Sequence, residues 1–383
     1  MLIAAVPPAD AWDHFEVSYS VDYSISAANA SDVASTPNPL AGPVAGHGYV
    51  AAMQVTVLGA GSWGTTVAGL VSPRHPTLIW ARNSATAAEI DANHTNETYL
   101  PGFTLPERLR ATDDLERAMR HAELLIVGVP TTAMRSTMTL AAPFMHPWIP
   151  IVSLAKGLEQ GSLLRMTEVI RDVAPGHPVA ALSGPNIARE IMAGQAAASV
   201  IATEDLSVAR AIQSVLTRGL FRIYTNHDVI GCELGGALKN VVAIACGIAQ
   251  GLGVGDNTRA TVMTRGLAEL TRLGVAMGGE AQTFAGLAGM GDLVTTCLSP
   301  FSRNRTVGEQ LGAGRKLADI TQEMNMVAEG LKSAVTAHEL AERFRLDMPV
   351  HEEIYKVVTG AVDAASTYRG LRLAQPGHES EPG

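Results

Sequence analysis

The chain has 383 residues, of which 47% are hydrophobic and 5% aromatic, and its net charge is −9. This length favours two domains, and the composition is typical of a globular α/β protein. The negative charge argues against binding to nucleic acid or to an anionic membrane surface. Cys232, Cys246 and Cys297 lack the paired spacing of disulfide frameworks and zinc sites, so no metal site is predicted and a reducing cytoplasm is favoured.

Residues 1–52 are rich in Ala, Ser and Pro and contain five acidic residues but no Lys or Arg. Such a segment buries little apolar surface, and we predict a disordered N-terminal extension. Regular patterning begins at Met53, which is therefore a candidate for the native translation start. Residues 371–383 are predicted to form a flexible tail.

Between residues 53 and 225, short apolar runs alternate with helical stretches. Strands are predicted at Gln54–Leu58, Thr77–Trp80, Leu124–Val129, Ile149–Ser153 and Val179–Leu182. This alternation predicts an α/β domain with a parallel sheet and helices on both faces.

From residue 226 to residue 370, helical periodicity replaces the strand pattern and predicts an all-α second domain. Helices are predicted at Glu233–Leu252, Arg259–Met277, Ser302–Leu311, Gly330–Arg343 and Glu352–Val358.

The turn after the first predicted strand reads Gly59-Ala60-Gly61-Ser62-Trp63-Gly64 and matches G-x-G-x-x-G. Its glycines permit a tight turn and a close approach of the backbone to a pyrophosphate at the N-terminus of the following helix. This context predicts a Rossmann-type dinucleotide-binding domain over residues 53–225. The alternative is a Gly-rich turn that binds no nucleotide.

The residue that reads the cofactor ribose is expected about 20 positions later, at the end of the second strand. That strand ends Trp80-Ala81-Arg82-Asn83. An arginine suits a 2′-phosphate, so NADPH is favoured over NADH, with both accepted. A solvated arginine at a strand end is the alternative.

The stretch Leu234–Gly255 has 22 residues and one charge, that of Lys239. An ammonium in such an apolar run loses hydration unless a carboxylate or a ligand compensates. Desolvated lysines commonly serve as proton donors or bases. A structural ion pair is one alternative. A transmembrane helix is the other, although the glycines and the central Lys-Asn pair suit a globular core better.

Other polar groups follow the later strands, where ligands bind beyond the carboxyl ends of a parallel sheet. Lys156 follows the fourth strand and is placed to meet an anionic or carbonyl group, unless it is a surface lysine. After the fifth strand, Gly184 offers a backbone N–H group and Asn186 an amide.

Two further segments in the second half complete the candidate site. Asp292 lies between apolar stretches and is a candidate partner for Lys239. Ser302-Arg303-Asn304 begins a helix, and a helix N-terminus with an arginine is a ready phosphate site. A capped helix with solvated arginines is the alternative.

Taken together, these segments resemble bacterial NAD(P)-dependent glycerol-3-phosphate dehydrogenases over roughly residues 53–370. The matching motifs, in chain order, are GAGSWGT, SLAKGLE, LSGPN, ELGGALKNVVAIACG, GMGDLVTTC and SRNRTVG. The resemblance implies that dihydroxyacetone phosphate is reduced to sn-glycerol 3-phosphate for glycerophospholipid synthesis. It also implies a homodimer, and no stable insertion into a membrane is expected.

The resemblance further implies roles for individual residues, with Lys239 as the catalytic proton donor. The implied substrate-binding residues are Lys156, Gly184, Asn186, Lys239, Asn240, Asp292, Ser302, Arg303 and Asn304. The implied cofactor-binding residues are Gly59, Gly61, Ser62, Trp63, Gly64, Arg82, Lys156, Ala188, Arg303, Val327 and Glu329. Asn186 departs from the family pattern, in which many members have Ser or Thr.

Two other functions fit the same sequence less well. One is a related two-domain β-hydroxyacid-type dehydrogenase that acts on a different phosphorylated substrate. The other is a non-catalytic NADP-binding sensor, which would lack catalytic groups, whereas Lys239 and Asp292 are both present.

Overall fold

A computed structural model describes residues 52–324 and 328–367 of the chain. Residues 1–51 of the predicted extension, the predicted tail 371–383 and the candidate cofactor residue Val327 lie outside these ranges. The described residues form eight strands and fifteen α-helices, with all the strands before residue 227.

The strands build one sheet in the order β3-β2-β1-β4-β5-β6-β7-β8. They span Val55–Leu58 (β1), Thr77–Trp80 (β2), Leu109–Thr112 (β3), Leu124–Val127 (β4), Ile151–Ser153 (β5), Val179–Ser183 (β6), Ala197–Ala202 (β7) and Phe221–Asn226 (β8). Neighbouring strands run parallel except β6 and β7, which pair antiparallel with Ser183 opposite Val200. The five predicted strands are confirmed as β1, β2, β4, β5 and β6.

The sequence prediction missed β3, β7 and β8, for identifiable reasons. The edge strand β3 contains an exposed Arg110, and β8, at the opposite edge, alternates buried and exposed residues rather than forming an apolar run. Strand β7 begins with Ala197 and Ala198, which have weak strand propensity. Tertiary pairing, rather than local pattern, defines these three strands.

Helices cover both faces of the sheet, as the alternation predicts. They span Ser62–Val71 (α1), Ser84–Asn93 (α2), Leu115–His121 (α3), Thr131–Ala141 (α4), Met166–Val173 (α5), Ala188–Met192 (α6) and Leu206–Leu216 (α7). Side chains alternate along β1, so that Val57 joins the hydrophobic core on one face and Leu58 the core on the other.

Beyond β8, the described residues are helical. The helices span Val229–Gly251 (α8), Asp256–Ala276 (α9), Ala281–Ala285 (α10), Asp292–Leu298 (α11), Arg303–Gly312 (α12), Leu317–Glu323 (α13), Glu329–Phe344 (α14) and Pro349–Val358 (α15), with a π-helical turn at Leu287–Gly291. The five predicted helices are confirmed as α8, α9, α12, α14 and α15. The short α10, α11 and α13 were not predicted.

Helix α8 runs through the centre of this helical region. Asp228 caps its N-terminus by accepting a hydrogen bond from the Gly231 N–H group. The helix is long and apolar enough to cross a membrane, but 94% of its most apolar window is buried inside the protein. Helix α12 packs closely against it, because Cβ atoms on Gly247 or Gly308 would overlap the facing backbone. This close packing brings the start of α12 towards the middle of α8.

Candidate active site

Lys239 lies in the middle of α8 with 6% of its side chain exposed. Its Nζ donates to Asp292 Oδ1 at 2.6 Å and to Thr296 Oγ1 at 2.5 Å. Asp292, with 2% of its side chain exposed, is the partner that the sequence suggested. An ammonium has three N–H donors, and among the described residues the third donor of Lys239 has no acceptor. The buried lysine is therefore held in place with one donor left for a ligand.

Thr296 was missed at the sequence level. It lies one turn after Asp292 on α11, and its Oγ1 donates to the Asp292 carbonyl at 2.7 Å while accepting from Lys239. The i, i+4 spacing from Asp292 would have placed both side chains on one helical face. Because α11 was not predicted, that spacing carried no signal.

Lys156 binds the other oxygen of the same carboxylate. Its Nζ donates to Asp292 Oδ2 at 2.8 Å, to the Gly184 carbonyl at 2.9 Å and to Asn186 Oδ1 at 2.6 Å. These three acceptors occupy all three N–H donors. Asn186 thus contacts Lys156 through its oxygen, although the family pattern has a hydroxyl residue here. Lys156 can bind a ligand directly by exchanging one of these partners.

The electrostatic balance of this centre is two cations around one anion. Burial lowers the pKa of Lys156 to about 8; the Lys239 charge adds to that fall and Asp292 opposes it. The net positive charge suits an oxygen that becomes negative during reaction.

The start of α12 lies beside this centre but uses part of its polar groups internally. Ser302 caps the helix by accepting from the Arg305 N–H group at 3.3 Å. Asn304 donates to Asn240 Oδ1 at 2.8 Å and accepts from the Gly330 N–H group at 2.9 Å. Asn240 in turn donates to the Lys156 carbonyl at 3.3 Å. The two amides thereby tie α8, α12 and the Lys156 segment together.

Arg303 directly follows the N-cap residue Ser302 at the start of α12, and its side chain is exposed. Partial desolvation by the surrounding protein lowers the pKa of Arg303, and the nearby Glu329 charge opposes that shift. Glu329 is the first residue of α14 and accepts from Thr131 Oγ1 at 2.9 Å, across a gap of 198 residues in sequence. The predicted cofactor residues Arg303 and Glu329 are therefore brought together.

The Gly-rich turn has the shape that a dinucleotide requires. Gly59 has φ +106°, and a Cβ there would lie 2.9 Å from the Gly128 backbone. A Cβ on Gly64 would overlap the Gly59 carbonyl, whereas a Cβ on Gly61 would meet no protein atom within 4 Å. The turn is thus tightly packed on its inner side and open at Gly61. The open side is where a pyrophosphate would approach.

The helix that follows this turn begins without a side-chain cap in the described part of the chain. The positive end of the helix dipole favours an anion at the start of this helix. Ser62 Oγ donates to the Tyr99 carbonyl at 2.6 Å. Trp63 packs edge-on against Phe221, and its buried Nε1 has no hydrogen-bond partner within residues 52–324 and 328–367. These features fit a bound nicotinamide dinucleotide.

Two further predicted cofactor residues, Arg82 and Ala188, follow the strands β2 and β6. Arg82 is exposed just beyond β2, and Asn83 next to it caps α2. Ala188 is half-buried at the start of α6. The strands β1, β4, β5 and β6 are neighbours, so the Gly-rich turn, Lys156 and Gly184 follow adjacent strand ends. The structure thus places the Gly-rich turn, Lys156 and Gly184 beyond the carboxyl ends of the strands.

Known proteins resemble this chain over most of its length. Residues 54–209 match the N-terminal part, and residues 228–369 the C-terminal part, of the family described as NAD-dependent glycerol-3-phosphate dehydrogenase. A glycerol-3-phosphate dehydrogenase [NAD(P)+] of Sphingopyxis alaskensis is 54% identical over 331 residues, which cover 86% of this chain and 99% of that protein.

Solved structures separate the family from its wider fold class. Glycerol-3-phosphate dehydrogenase from Coxiella burnetii superposes with a TM-score of 0.81 at 34% identity, over 84% of this chain and 99% of that one. A ketopantoate reductase from Ralstonia eutropha reaches 0.52 at 15% identity, over 82% and 100% of the two chains, which shows a shared fold alone. The chain therefore belongs to the NAD-dependent glycerol-3-phosphate dehydrogenase family.

Proposed function

We propose that this protein reduces dihydroxyacetone phosphate to sn-glycerol 3-phosphate with NADPH or NADH, reversibly, and so supplies glycerophospholipid synthesis. The observation that carries the proposal is the buried Lys239 ammonium, held by Asp292 and Thr296 with one N–H donor left for a ligand. Family membership indicates the substrate, and the geometry around Lys239 provides the proton donor that the reaction needs.

A nicotinamide held at the Gly-rich turn by Ser62 and Trp63 would supply the hydride for reduction of the substrate carbonyl. As the carbonyl oxygen becomes negative, Lys239 donates a hydrogen bond to it and then a proton. Asp292 and Thr296 hold the ammonium so that it needs no reorientation during the reaction. Lys156, which donates to the other oxygen of Asp292, places a second positive charge beside the reacting oxygen. The surrounding apolar residues of α8 exclude water and strengthen these interactions.

The substrate phosphate is assigned to the start of α12. Arg303 and the first N–H groups of that helix offer donors to an anion, and Ser302 and Asn304 fix the helix start. Binding energy from this non-reacting group orients the carbonyl at Lys239. Gly184, Asn186 and Asn240 act mainly by holding Lys156 and Asn304.

The cofactor is assigned to the open side of the Gly-rich turn, with Ser62 and Trp63 at the start of α1. Arg82, exposed beyond β2, supports a preference for NADPH, because a guanidinium binds a 2′-phosphate. We place the Rossmann-type domain at residues 53–225 and the helical domain at residues 226–370. A homodimer in the cytoplasm completes the proposal.

The test is oxidation of NADPH by the purified protein with dihydroxyacetone phosphate, repeated with NADH and with ketopantoate. We expect turnover with dihydroxyacetone phosphate and a higher kcat/KM for NADPH than for NADH. Replacing Arg82 by Ser should lower that ratio, with NADH turnover unchanged. Turnover with ketopantoate but not with dihydroxyacetone phosphate would refute the proposed substrate. Binding of NADPH without turnover of either compound would indicate a non-catalytic sensor.

A further inference from the structure

A second buried carboxylate, Glu233, lies on α8 six residues before Lys239 and takes no part in the mechanism above. Only 3% of its side chain is exposed. It accepts from Arg165 Nη1 at 2.8 Å, from the Thr167 N–H group at 2.9 Å and from Thr167 Oγ1 at 2.5 Å. Burial raises the pKa of Glu233, while Arg165 and Thr167 oppose that shift. A buried charge with this many donors is a fixed point of the structure.

The donors belong to the start of α5, on the sheet side of the molecule. Arg165 is the N-cap residue of α5, and Glu168 accepts both from its N–H group and from its guanidinium, each at 2.8 Å. Glu233 thus binds a helix N-terminus, whose dipole favours an anion. Because α5 and α8 are far apart in sequence, this contact fixes one element against the other.

The segment that ends at Arg165 begins at Lys156. It folds back on itself, because Leu158 and Arg165 form an isolated antiparallel bridge and the Glu159 N–H group donates to the Leu164 carbonyl at 2.9 Å. We name residues 156–165 the lysine loop. The two ends of the lysine loop are therefore close together.

Both ends of the lysine loop contact α8. At its start, Asn240 donates to the Lys156 carbonyl, and a Cβ on Gly236 would lie 3.4 Å from Lys156 Cγ, so the aliphatic part of the lysine passes over that glycine. At its end, Glu233 binds Arg165. Glu233, Gly236 and Asn240 lie within a stretch of eight residues of one helix. Their spacing sets where the lysine loop can lie.

Lys156 must reach one oxygen of Asp292 while Lys239 reaches the other. Lys239 is fixed by α8 itself, but Lys156 depends on the lysine loop. We propose that Glu233 is a positioning residue that anchors the lysine loop to α8 through Arg165 and Thr167 and so holds Lys156 against Asp292. Its effect on the rate rests on the proposed function, whereas the anchoring of the loop does not.

The test compares Glu233→Gln with Glu168→Gln. Glu233→Gln removes the carboxylate charge on α8 that binds Arg165. Glu168→Gln removes the charge of the half-exposed second partner of Arg165 but leaves the ion pair with Glu233 intact. In Glu233→Gln we expect kcat to fall about 10- to 100-fold, the cost of a small misplacement of a reacting group. KM for NADPH should stay within about twofold of wild type, and Glu168→Gln should keep wild-type kcat. A role in stability alone would leave kcat per NADPH-binding site unchanged.

A second variant, Thr167→Val, removes one donor to Glu233 and keeps the charge pair, so it decides the matter if Glu233→Gln does not fold. The kcat of Thr167→Val should also fall, by a smaller factor than that of Glu233→Gln. An unchanged kcat per binding site in Thr167→Val and in any folded Glu233→Gln, or an equal loss in Glu168→Gln, would overturn the proposal.

Amide hydrogen exchange gives a readout that does not depend on turnover. The Glu159 and Leu163 amides, which are hydrogen-bonded within the lysine loop, should exchange faster in Glu233→Gln and Thr167→Val than in wild type or Glu168→Gln. Unchanged exchange in the folded variants would overturn the anchoring. Faster exchange in a protein that never reduces dihydroxyacetone phosphate would refute the proposed function and leave the anchoring in place.

Discussion

The two halves of the proposed site satisfy their polar groups in opposite ways. At the centre formed by Lys156, Lys239 and Asp292, five of the six ammonium donors already have protein acceptors. At the Gly-rich turn, α1 starts without a side-chain cap and the space beside Gly61 is free of protein atoms, as far as the described residues reach. The two lysines and Asp292 are fixed by hydrogen bonds within the protein, whereas the side of the turn proposed for the cofactor is open.

This difference indicates where each kind of substitution should act. Substituting Lys156, Lys239 or Asp292 leaves a buried charge without its partner. Such a substitution should therefore alter both the chemical step and the electrostatic balance among the remaining buried charges. Changing the turn should alter what fits beside the backbone and leave the chemistry of bound substrate intact. Separate measurements of binding and turnover can therefore test the comparison.

The largest effect is expected for Lys239→Ala, which removes the proton donor. We expect kcat to fall about 10²–10⁴-fold, the usual contribution of a positioned acid. NADPH should bind with unchanged Kd in a fluorescence titration, because the turn is untouched. The control is Lys316→Ala, an exposed lysine at the start of α13, which should keep wild-type kcat. Near-wild-type kcat in Lys239→Ala would remove this lysine from the chemistry.

The next effect is expected at the start of α12, with Arg303→Ala compared with Arg305→Ala. We expect kcat/KM for dihydroxyacetone phosphate to fall about 10- to 100-fold in Arg303→Ala, because hydrogen bonds to a charged group are lost. Arg305 is the matched control, since its guanidinium binds the Ser299 carbonyl and Glu309 instead. An unchanged kcat/KM in Arg303→Ala would refute the phosphate assignment.

A smaller effect separates two glycines of the turn. Gly61→Ala should raise Kd for NADPH about tenfold, or about 1.4 kcal/mol, and leave Tm unchanged, because its Cβ meets no protein atom. Gly59→Ala should lower Tm as well, since a positive φ costs about 1–3 kcal/mol in other residues and its Cβ would crowd Gly128. Equal Tm values for the two variants would show that the turn is not packed as described.

Sequence reasoning found the groups whose chemistry is local. The Gly-rich turn, the lone charge of Lys239 and the cap at Ser302 all follow from short patterns with a physical meaning. The partnership of Lys239 with Asp292 was inferred from their shared apolar surroundings and is confirmed at 2.6 Å.

Contacts between distant segments were beyond the reach of the sequence. Nothing local shows that Lys156 binds the second oxygen of Asp292, or that Glu233 meets Arg165. The missed strands β3, β7 and β8 have the same cause, because pairing with neighbouring strands stabilises them more than their own residues do. Thr296 was missed because the short α11 has too few turns to show periodicity.

The smallest expected effect is the pH dependence that Lys156 gives to activity and to stability, which should change in opposite directions. Burial lowers the pKa of Lys156 to about 8, so its charge is lost in the folded protein as pH rises through that value. If the charge assists the reaction, kcat/KM should halve near pH 8 and continue to fall above it. The unfolded chain keeps this proton up to the ordinary lysine pKa of about 10.4.

Between these two pKa values the unfolded state binds more protons, so the free energy of unfolding should increase with pH while activity falls. Denaturant unfolding at several pH values, compared with Lys156→Met, isolates this contribution. Wild type should gain stability relative to the variant as pH rises from about 8 to about 10. Parallel loss of activity and relative stability would show that Lys156 is stabilised as a cation, with Asp292 rather than burial controlling its charge.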